Sequence, residues 1–427
     1  MADIFETKEY KKSRNFYTAQ CAFEYFISLL TTDAFLAKLL KDIGLSDSLT
    51  GVLSSLISFT FLFKLFSIPI AGKLKSVKKP MIILDTLSQI FFAMLYIVPF
   101  LSLGLTGKTI TVTALIILAY LMLYLNASIC YKWGNSFVSP NKRGSYSATK
   151  EMVSLLSGVF FVLAAGYITD RYEASNNLHG AFVFLSISMV IICGFNFICL
   201  ASMKDIQLSE SKAKQSVKEI INHTLKNKNC RNAIILTSLN EFARYMTIGF
   251  MGTYKTIDLG FSVSKIQIFN VIACMAHFAI SPKLGKISDS KGYSHGYFIG
   301  NVISIIAFVF GMFTTSKMRW LIIPFTLFSQ MSLAGTGQNT FNMMYAYVDE
   351  EYILPAFAVN DSIRGIFGFL ASFTGGAILS HIQASGNIFL GMNVKGQQVL
   401  CGISIILMIA ALIFNKKVVS KQIEDKK

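Results

Sequence analysis

The sequence contains little charge and little proline. Of its 427 residues, 15% are charged and 53% are hydrophobic, and the mean hydropathy is +0.54. Polar side chains are too few to cover a water-soluble globule of this size, so the composition excludes that class and predicts a surface that mostly faces lipid. The seven prolines argue against long ordered loops.

Motifs for metal or ATP chemistry are also missing. The seven cysteines include no CxxC pair and no Cys–His pair at metal-ligand spacing, so we predict neither a disulfide nor a metal site. The five histidines are dispersed, and no phosphate-binding P-loop is present, which leaves ATP-driven pumping unsupported. We therefore predict that the protein is not an enzyme, has no catalytic residue and needs no cofactor.

The net charge of +16 would indicate nucleic-acid binding in a soluble protein. Here the cations lie between apolar segments, so we predict no nucleic-acid partner. The N-terminal residues lack the short apolar core and the small-residue cleavage site of a signal peptide. We therefore expect the first helix to stay in the mature protein.

Twelve apolar segments are long enough to cross a bilayer. A hydrocarbon core about 30 Å thick needs roughly twenty residues of helix. The sequence therefore predicts an all-α membrane protein with twelve transmembrane helices. The predicted spans are 15–37, 48–71, 80–103, 109–131, 146–168, 179–201, 232–254, 266–284, 296–314, 319–343, 356–381 and 396–414.

The distribution of basic residues orients these spans. Most of the 39 lysines and arginines fall in segments on the same side of the predicted membrane as the N-terminus. Because cytoplasmic loops are enriched in these residues, we expect both termini in the cytoplasm of a multi-pass protein of the plasma or inner membrane. The excess of Lys over Arg, with abundant Ile and Asn, indicates an AT-rich bacterial genome.

The spans group into two halves around one hydrophilic stretch. The predicted parts are a cytoplasmic N-terminus (1–14), a six-helix bundle (15–201), a linker (202–231), a second six-helix bundle (232–414) and a cytoplasmic tail (415–427). Within the linker, Val217, Ile220, Ile221 and Leu225 recur at helical spacing. The linker is either an amphipathic helix on the inner leaflet or a solvated tether.

The two halves are copies of one unit. Three pairs of segments match in order: DIGLSDS at 42–48 with DLGFSVS at 258–264, GKLKSVK at 72–78 with GKISDSK at 285–291, and ATKE at 148–151 with AVND at 358–361. Each match falls at the same place in its half, which indicates an internal duplication of six helices.

The loop between spans 8 and 9 carries Gly285, Asp289 and Gly292 between lysines. This pattern resembles the signature loop of the major facilitator superfamily. The first copy departs from it, because Ser76 and Lys79 stand where the Asp and the second Gly are expected. The resemblance implies two six-helix bundles around a central cavity lined by helices 1, 4, 7 and 10.

Three charged residues lie inside spans that the resemblance assigns to the cavity. Glu24 and Glu241 occupy matching positions, and Arg244 follows Glu241 by one helical turn. In one interpretation the carboxylates bind and release a proton as access alternates, while Arg244 holds an anionic substrate group or switches between them. In the other, Glu241 and Arg244 are a permanent structural ion pair.

Charged residues also mark the beginnings of spans 5 and 11. These are Lys150, Glu151, Asp361 and Arg364. By the resemblance they face the signature loops, so we expect Asp289 to dock against the N-terminus of span 5. Together with Gly285 and Gly292 they are candidates for an inner gate, and solvation of the helix ends is the alternative.

Polar residues inside the spans add further candidates. Lys64 and Asp85 lie at similar depth in neighbouring spans, and we expect a structural salt bridge between them. Uncharged side chains could contact a polar and aromatic substrate or could hydrogen-bond between helices. These uncharged residues are Gln20, Tyr124, Asn126, Asn240, Gln338, Asn339 and Asn342.

Together these patterns predict a secondary active, proton-coupled transporter of a small polar or amphiphilic solute that works by alternating access. Its expected partners are membrane lipids, one small-molecule substrate and a coupling proton, and we expect a monomer. A multidrug or lipid-like efflux transporter of the same fold is the alternative. A transport-inactive membrane sensor is the third hypothesis, although the linker is too short for a folded effector domain.

Overall fold

The computed structural model describes residues 4–73, 76–139, 142–206, 216–348 and 352–421. These residues are almost entirely helical. The helices before the linker are α1 (Lys8–Leu30), α2 (Asp33–Asp42), α3 (Asp47–Ser54), α4 (Leu56–Thr60), α5 (Lys64–Lys73), α6 (Lys78–Leu95), α7 (Leu105–Ser136), α8 (Arg143–Ala174) and α9 (Leu178–Ser202). The later helices are α10 (Val217–Lys226), α11 (Lys228–Tyr245), α12 (Met251–Thr253), α13 (Val263–Lys291), α14 (Tyr293–Phe313), α15 (Ile322–Tyr347), α16 (Ile353–Ala384) and α17 (Gly396–Phe414).

The described helices confirm an all-α membrane protein. By length and composition, eight described segments can cross a bilayer. The other predicted spans correspond to α1, α6, α11 and α15, which are more polar. Three of these helices contain an acid within the predicted span: Glu24 in α1, Asp85 in α6 and Glu241 in α11. These acids lower the mean hydropathy of the spans, as buried functional or paired charges do.

Spans 1 and 7 are interrupted, whereas the hydropathy pattern predicts continuous helices. α1 ends at Leu30 and α2 begins at Asp33, whose φ of +47° lies in the left-handed region. The Thr31 and Thr32 hydroxyls donate to backbone carbonyls one turn back, which competes with continuation of the helix. In the second half, α11 ends just before Thr247, the residue that matches Thr31 in the repeat.

Span 2 is also divided, into α3, α4 and α5. The hydroxyls of Ser54, Ser55, Ser58 and Thr60 each donate to a carbonyl three or four residues back. Such bonds bend helices.

The contacts divide the chain into two compact units. Unit 1 comprises Met1–Gly44 and Phe63–Ser216, and unit 2 comprises Leu45–Leu62 and Val217–Lys427. Residues 45–62, which the sequence assigns to the N-terminal bundle, therefore pack with the C-terminal helices. A glycine permits this packing, because a Cβ atom at Gly365 would lie 2.1 Å from the Ser58 carbonyl oxygen.

The linker contains a helix, as one of the two hypotheses for this segment predicts. In α10, Ile220 and Thr224 are buried, and the helix packs against α16 and α11 of unit 2. The His223 ring stacks on Tyr352 with centroids 3.8 Å apart. This apolar face therefore covers protein, whereas the sequence interpretation placed it on lipid. Residues 207–215 of the predicted linker lie outside the described residues.

A short hairpin joins α16 and α17, in the segment that the predicted spans leave as a loop. Strands β1 (Ile388–Phe389) and β2 (Met392–Asn393) are antiparallel. The turn between them has positive φ at both central residues, Leu390 and Gly391, the geometry of a tight primed turn.

Candidate functional site

Unit 1 encloses a cavity of about 360 Å³. Its wall combines one acid, one lysine, amide and hydroxyl groups and aromatic rings. The lining residues are Tyr17, Cys21, Glu24, Tyr25, Ile27, Ser28, Ser88, Gln89, Phe92, Tyr120, Leu123, Cys130 and Lys150. These residues come from α1, α6, α7 and α8, so four helices of one unit build the site.

Glu24 is the acid of this cavity. Gln20, which is fully buried one turn earlier in α1, donates a hydrogen bond of 2.8 Å from Nε2 to Glu24 Oε2. Lys150 of α8 interacts electrostatically with Glu24. The Lys150 Nζ also lies 4.9 Å from the centroid of the Tyr17 ring. The carboxylate thus has one amide donor and one cation within the same cavity.

Lys150 therefore occupies a different place from the one predicted. The sequence places it at the mouth of span 5, as part of an inner gate. In the structure α8 begins at Arg143, so Lys150 lies two turns into the helix and lines the cavity. Its neighbour Glu151 is exposed, because successive residues of a helix point in different directions.

An aromatic group forms another part of the wall. Tyr120 and Tyr124 stack with centroids 5.7 Å apart, and Phe92 meets Tyr120 edge-on at 4.9 Å. The Lys64 Nζ lies 5.0 Å from the Tyr124 ring centroid. Tyr124 thus lies next to the cavity as a support for Tyr120.

Asp85 is the residue that the sequence interpretation undervalued. It is 1% exposed, and its Oδ2 accepts hydrogen bonds from Gln89 Nε2 at 2.9 Å and from Asn196 Nδ2. The expected salt bridge with Lys64 is thereby replaced by two amide donors. Asp85 and Gln89 are four residues apart, as are Gln20 and Glu24. This shared spacing of an acid and an amide could have identified Asp85 from the sequence.

Unit 2 contains four charged residues on two adjacent helices. Arg244 Nη1 lies 3.8 Å from Glu241 Oε2 in α11, and Arg364 Nε lies 3.0 Å from Asp361 Oδ1 in α16. Arg364 also interacts electrostatically with Glu241. The four charges sum to zero, so the cluster is balanced without another ion.

The depth of Asp361 and Arg364 differs from the prediction. They were expected at the mouth of span 11, but Asp361 is 0% exposed. Because α16 begins at Ile353, Asp361 lies eight residues, or about 12 Å, into the helix. This places it beside the charges of α11 instead of at a helix end.

A sequence profile of the Major Facilitator Superfamily matches residues 19–378. The chain belongs to the major facilitator superfamily. This major facilitator is therefore a multi-pass membrane transporter and not an enzyme. A search of curated protein sequences gave no significant match.

Solved structures share the fold of this major facilitator. A mutant of the nucleoside transporter NupG aligns with a TM-score of 0.73 at 14% identity, covering 94% of this chain and 99% of that chain. An auto-inhibited peptide transporter of the POT family gives a TM-score of 0.66 at 11% identity, covering 94% of this chain and 96% of that chain. A D-xylose–proton symporter gives 0.66 at 16% identity, covering 95% and 97%.

The motif that the sequence places in a loop lies mostly within a helix. Gly285 and Asp289 fall in the last two turns of α13, which extends to Lys291, and only Gly292 stands between α13 and α14. Gly292 has a φ of +95° and ends α13, with its N–H donating to the Ser288 carbonyl at 2.9 Å. Asp289 is exposed. Gly285 faces Gln338 across α13 and α15, since a Cβ there would lie 3.8 Å from the Gln338 amide nitrogen.

The remaining predicted residues of the major facilitator lie outside the cavity wall. Asn240 donates to Asn301, and Asn339 donates to the Gly335 carbonyl at 2.7 Å. Asn126 is buried in α7, and Asn342 is half-buried in α15. For Asn240 and Asn339, these contacts support interhelical or local hydrogen bonding, the alternative to substrate contact.

Proposed function

We propose that this transporter is proton-coupled and carries a small polar or amphiphilic solute by alternating access. The observation that carries the proposal is Glu24, which lines a cavity of about 360 Å³ together with Lys150. This volume lies in the range of small-molecule sites, roughly 300–1,000 Å³. The related solved structures include transporters of nucleosides, xylose and peptides, which supports a polar solute.

Lys150 provides the link between proton and solute. A charged Glu24 has one hydrogen-bond donor, Gln20, and one cation, Lys150, which lines the same cavity. When Glu24 takes up a proton, the ammonium loses its counter-charge and becomes available to an acceptor on the solute. Proton binding and solute binding thereby favour each other, which is the requirement for coupling.

In this proposal the charged cluster of unit 2 does not take up the coupling proton. Glu241, Arg244, Asp361 and Arg364 balance each other, so this cluster can keep its charges throughout the cycle. Glu241 therefore remains a coupling candidate of lower rank than Glu24, and Arg244 remains the candidate for an anionic substrate group.

The transporter lies in the plasma or inner membrane as a monomer with both termini in the cytoplasm. The excess of lysine and arginine on the side of the N-terminus supports this orientation. A C-terminal green fluorescent protein fusion should fluoresce, because this reporter folds only on the cytoplasmic side. A dark fusion of full length would contradict the orientation.

Uptake into proteoliposomes tests the proposed coupling. An inward proton gradient should drive accumulation of at least one member of a panel of nucleosides, pentoses and dipeptides. Glu24→Gln should abolish this accumulation, whereas Glu173→Gln, which changes an exposed acid near the end of α8, should not. Proton-driven export of amphiphilic cations, with no uptake of the panel, would instead favour the efflux alternative.

A further inference from the structure

We propose that Asp85 is a second proton-binding residue of this transporter and shares one proton with Glu24. The proposal rests on the proposed coupling role of Glu24. It gives a function to Asp85, for which the sequence predicts only a structural salt bridge. Asp85 lies in α6, one layer behind the cavity wall. Gln89 connects the two, because it lines the cavity and donates to Asp85.

The hydrogen bonds of Asp85 are one-sided. Both amide donors, Gln89 and Asn196, bond to Oδ2, and Oδ1 has no hydrogen-bond partner among the described residues. Only 1% of the residue is exposed. A buried carboxylate with one unsatisfied oxygen is costly in its charged form. Binding of one proton forms an O–H bond at one of the two carboxyl oxygens and removes the charge.

The amide groups around Asp85 can serve either protonation state. Gln89 Oε1 and Asn196 Oδ1 are buried and also have no hydrogen-bond partner in the part of the chain that the structure describes. Rotation of either amide by half a turn exchanges its nitrogen for its oxygen. The same side chains can therefore donate to a carboxylate or accept from a carboxylic acid, without movement of the helices.

The charges that face Asp85 leave room for one proton. Glu24 interacts electrostatically with Asp85, and Lys150 interacts with Glu24. Two carboxylates and one ammonium carry a net charge of minus one, which a single proton balances. Among the described residues, the other titratable groups that interact with Asp85 are thiols of α1, α7 and α9, namely Cys21, Cys130 and Cys193.

The two carboxylates can therefore alternate as holders of the proton. When Glu24 is charged and interacts with Lys150, the proton resides on Asp85. When the proton moves to Glu24, Asp85 carries the charge and keeps its two amide donors. Gln89 contacts Asp85 and also lines the cavity. In this proposal the proton passes between Asp85 and Glu24 through water that enters the cavity beside Gln89.

Infrared difference spectroscopy of the full-length protein in lipid tests this proposal. The carbonyl stretch of a protonated carboxyl group should be present in the wild type and should disappear as the pH is raised. Asp85→Asn, which keeps the size of the side chain, should remove this band. Glu24→Gln should retain it but shift its loss to lower pH by about one unit or more, because the neighbouring negative charge is gone.

Two further variants keep the test decisive. If Asp85→Asn does not fold, Gln89→Met preserves Asp85 but removes one donor to the carboxylate, so the band should persist to higher pH. Glu173→Gln, at an exposed acid of α8, should leave the spectrum unchanged. A band that survives Asp85→Asn, or that titrates at the same pH in Glu24→Gln, would overturn the proposal.

The spectra need no substrate, so the two proposals can fail separately. If the band does not respond to Glu24 while Glu24→Gln still abolishes proton-driven uptake, the Asp85 proposal is wrong and the proposed function stands. If Glu24→Gln keeps proton-driven uptake, the proposed function fails, and the sharing of a transported proton fails with it. Uptake that requires sodium instead of a proton gradient would also overturn both.

Discussion

Lys150 of α8 interacts electrostatically with Glu24 of α1, although the two residues are far apart in sequence. Unit 2 contains a similar relationship, because Arg364 of α16 interacts with Glu241 of α11. The acids match in the internal repeat, whereas Lys150 aligns with Asn360. The cation of the second half therefore stands one helical turn later, on the corresponding helix.

Loss of the Lys150 ammonium should destabilise the protein through Glu24. In Lys150→Met, the carboxylate remains in the cavity without its cation, so we expect a lower midpoint of thermal unfolding. Lys150→Met combined with Glu24→Gln should recover part of the loss, because the unpaired charge is gone. A loss in the double variant equal to the sum of the losses in Lys150→Met and Glu24→Gln would show that the two residues do not interact.

The close packing at Gly365 gives a test of residues 45–62 within unit 2. In Gly365→Ala, the new methyl group would meet the Ser58 carbonyl at 2.1 Å. We expect a loss of roughly 1–3 kcal/mol in the free energy of unfolding, as for other overpacked sites, measured by chemical denaturation in detergent. Gly337→Ala is the matched control, because no described residue outside its own helix turn lies within 4 Å of its Cβ position.

The charged cluster of unit 2 should be sensitive to removal of one member. Asp361→Asn leaves Arg364 without the acid that lies 3.0 Å away, and we expect a loss of roughly 3–5 kcal/mol. Adding Arg364→Met should restore much of this stability. Asp289→Asn, at an exposed acid of the same unit, should have no effect, and a similar loss there would contradict the structural role of the pair.

The packing of α10 can be tested by hydrogen exchange. Ile220 is 1% exposed, whereas Ile221 is half-buried. Ile220→Ala should destabilise the docked helix by roughly 2–5 kcal/mol and should raise the exchange rates of the α10 amides in detergent. Ile221→Ala should change them less. The opposite order would indicate that the helix rests on another face.

The sequence predicts the spans well because hydrophobicity is a local property. It does not predict the break after Leu30. Thr31 and Thr32 can both occur within a helix, and only the structure shows that their hydroxyls bond to the backbone there. The depth of Asp361 depends on where α16 begins. Helix boundaries are hard to predict from sequence, because polar residues give way to apolar ones gradually at the start of a helix.

Pairing between distant residues was harder to predict than the spans. Glu24 stands out from the sequence because an acid in a span is costly. Its cation could not be identified, because Lys150 is distant in the chain and equally compatible with a helix end. Asp85 was assigned to Lys64 on depth alone, and only the packing of α6 against α9 brings Asn196 to it.

Proton movement measured during transport tests the coupling role of Glu24 most directly. Once a transported solute is identified from the panel, its addition to liposomes that contain a pH-sensitive dye should acidify the lumen with the wild-type protein. With Glu24→Gln, the solute should still exchange across the membrane in counterflow, but the lumen should not acidify. Acidification by Glu24→Gln at the wild-type rate would contradict proton coupling through this residue.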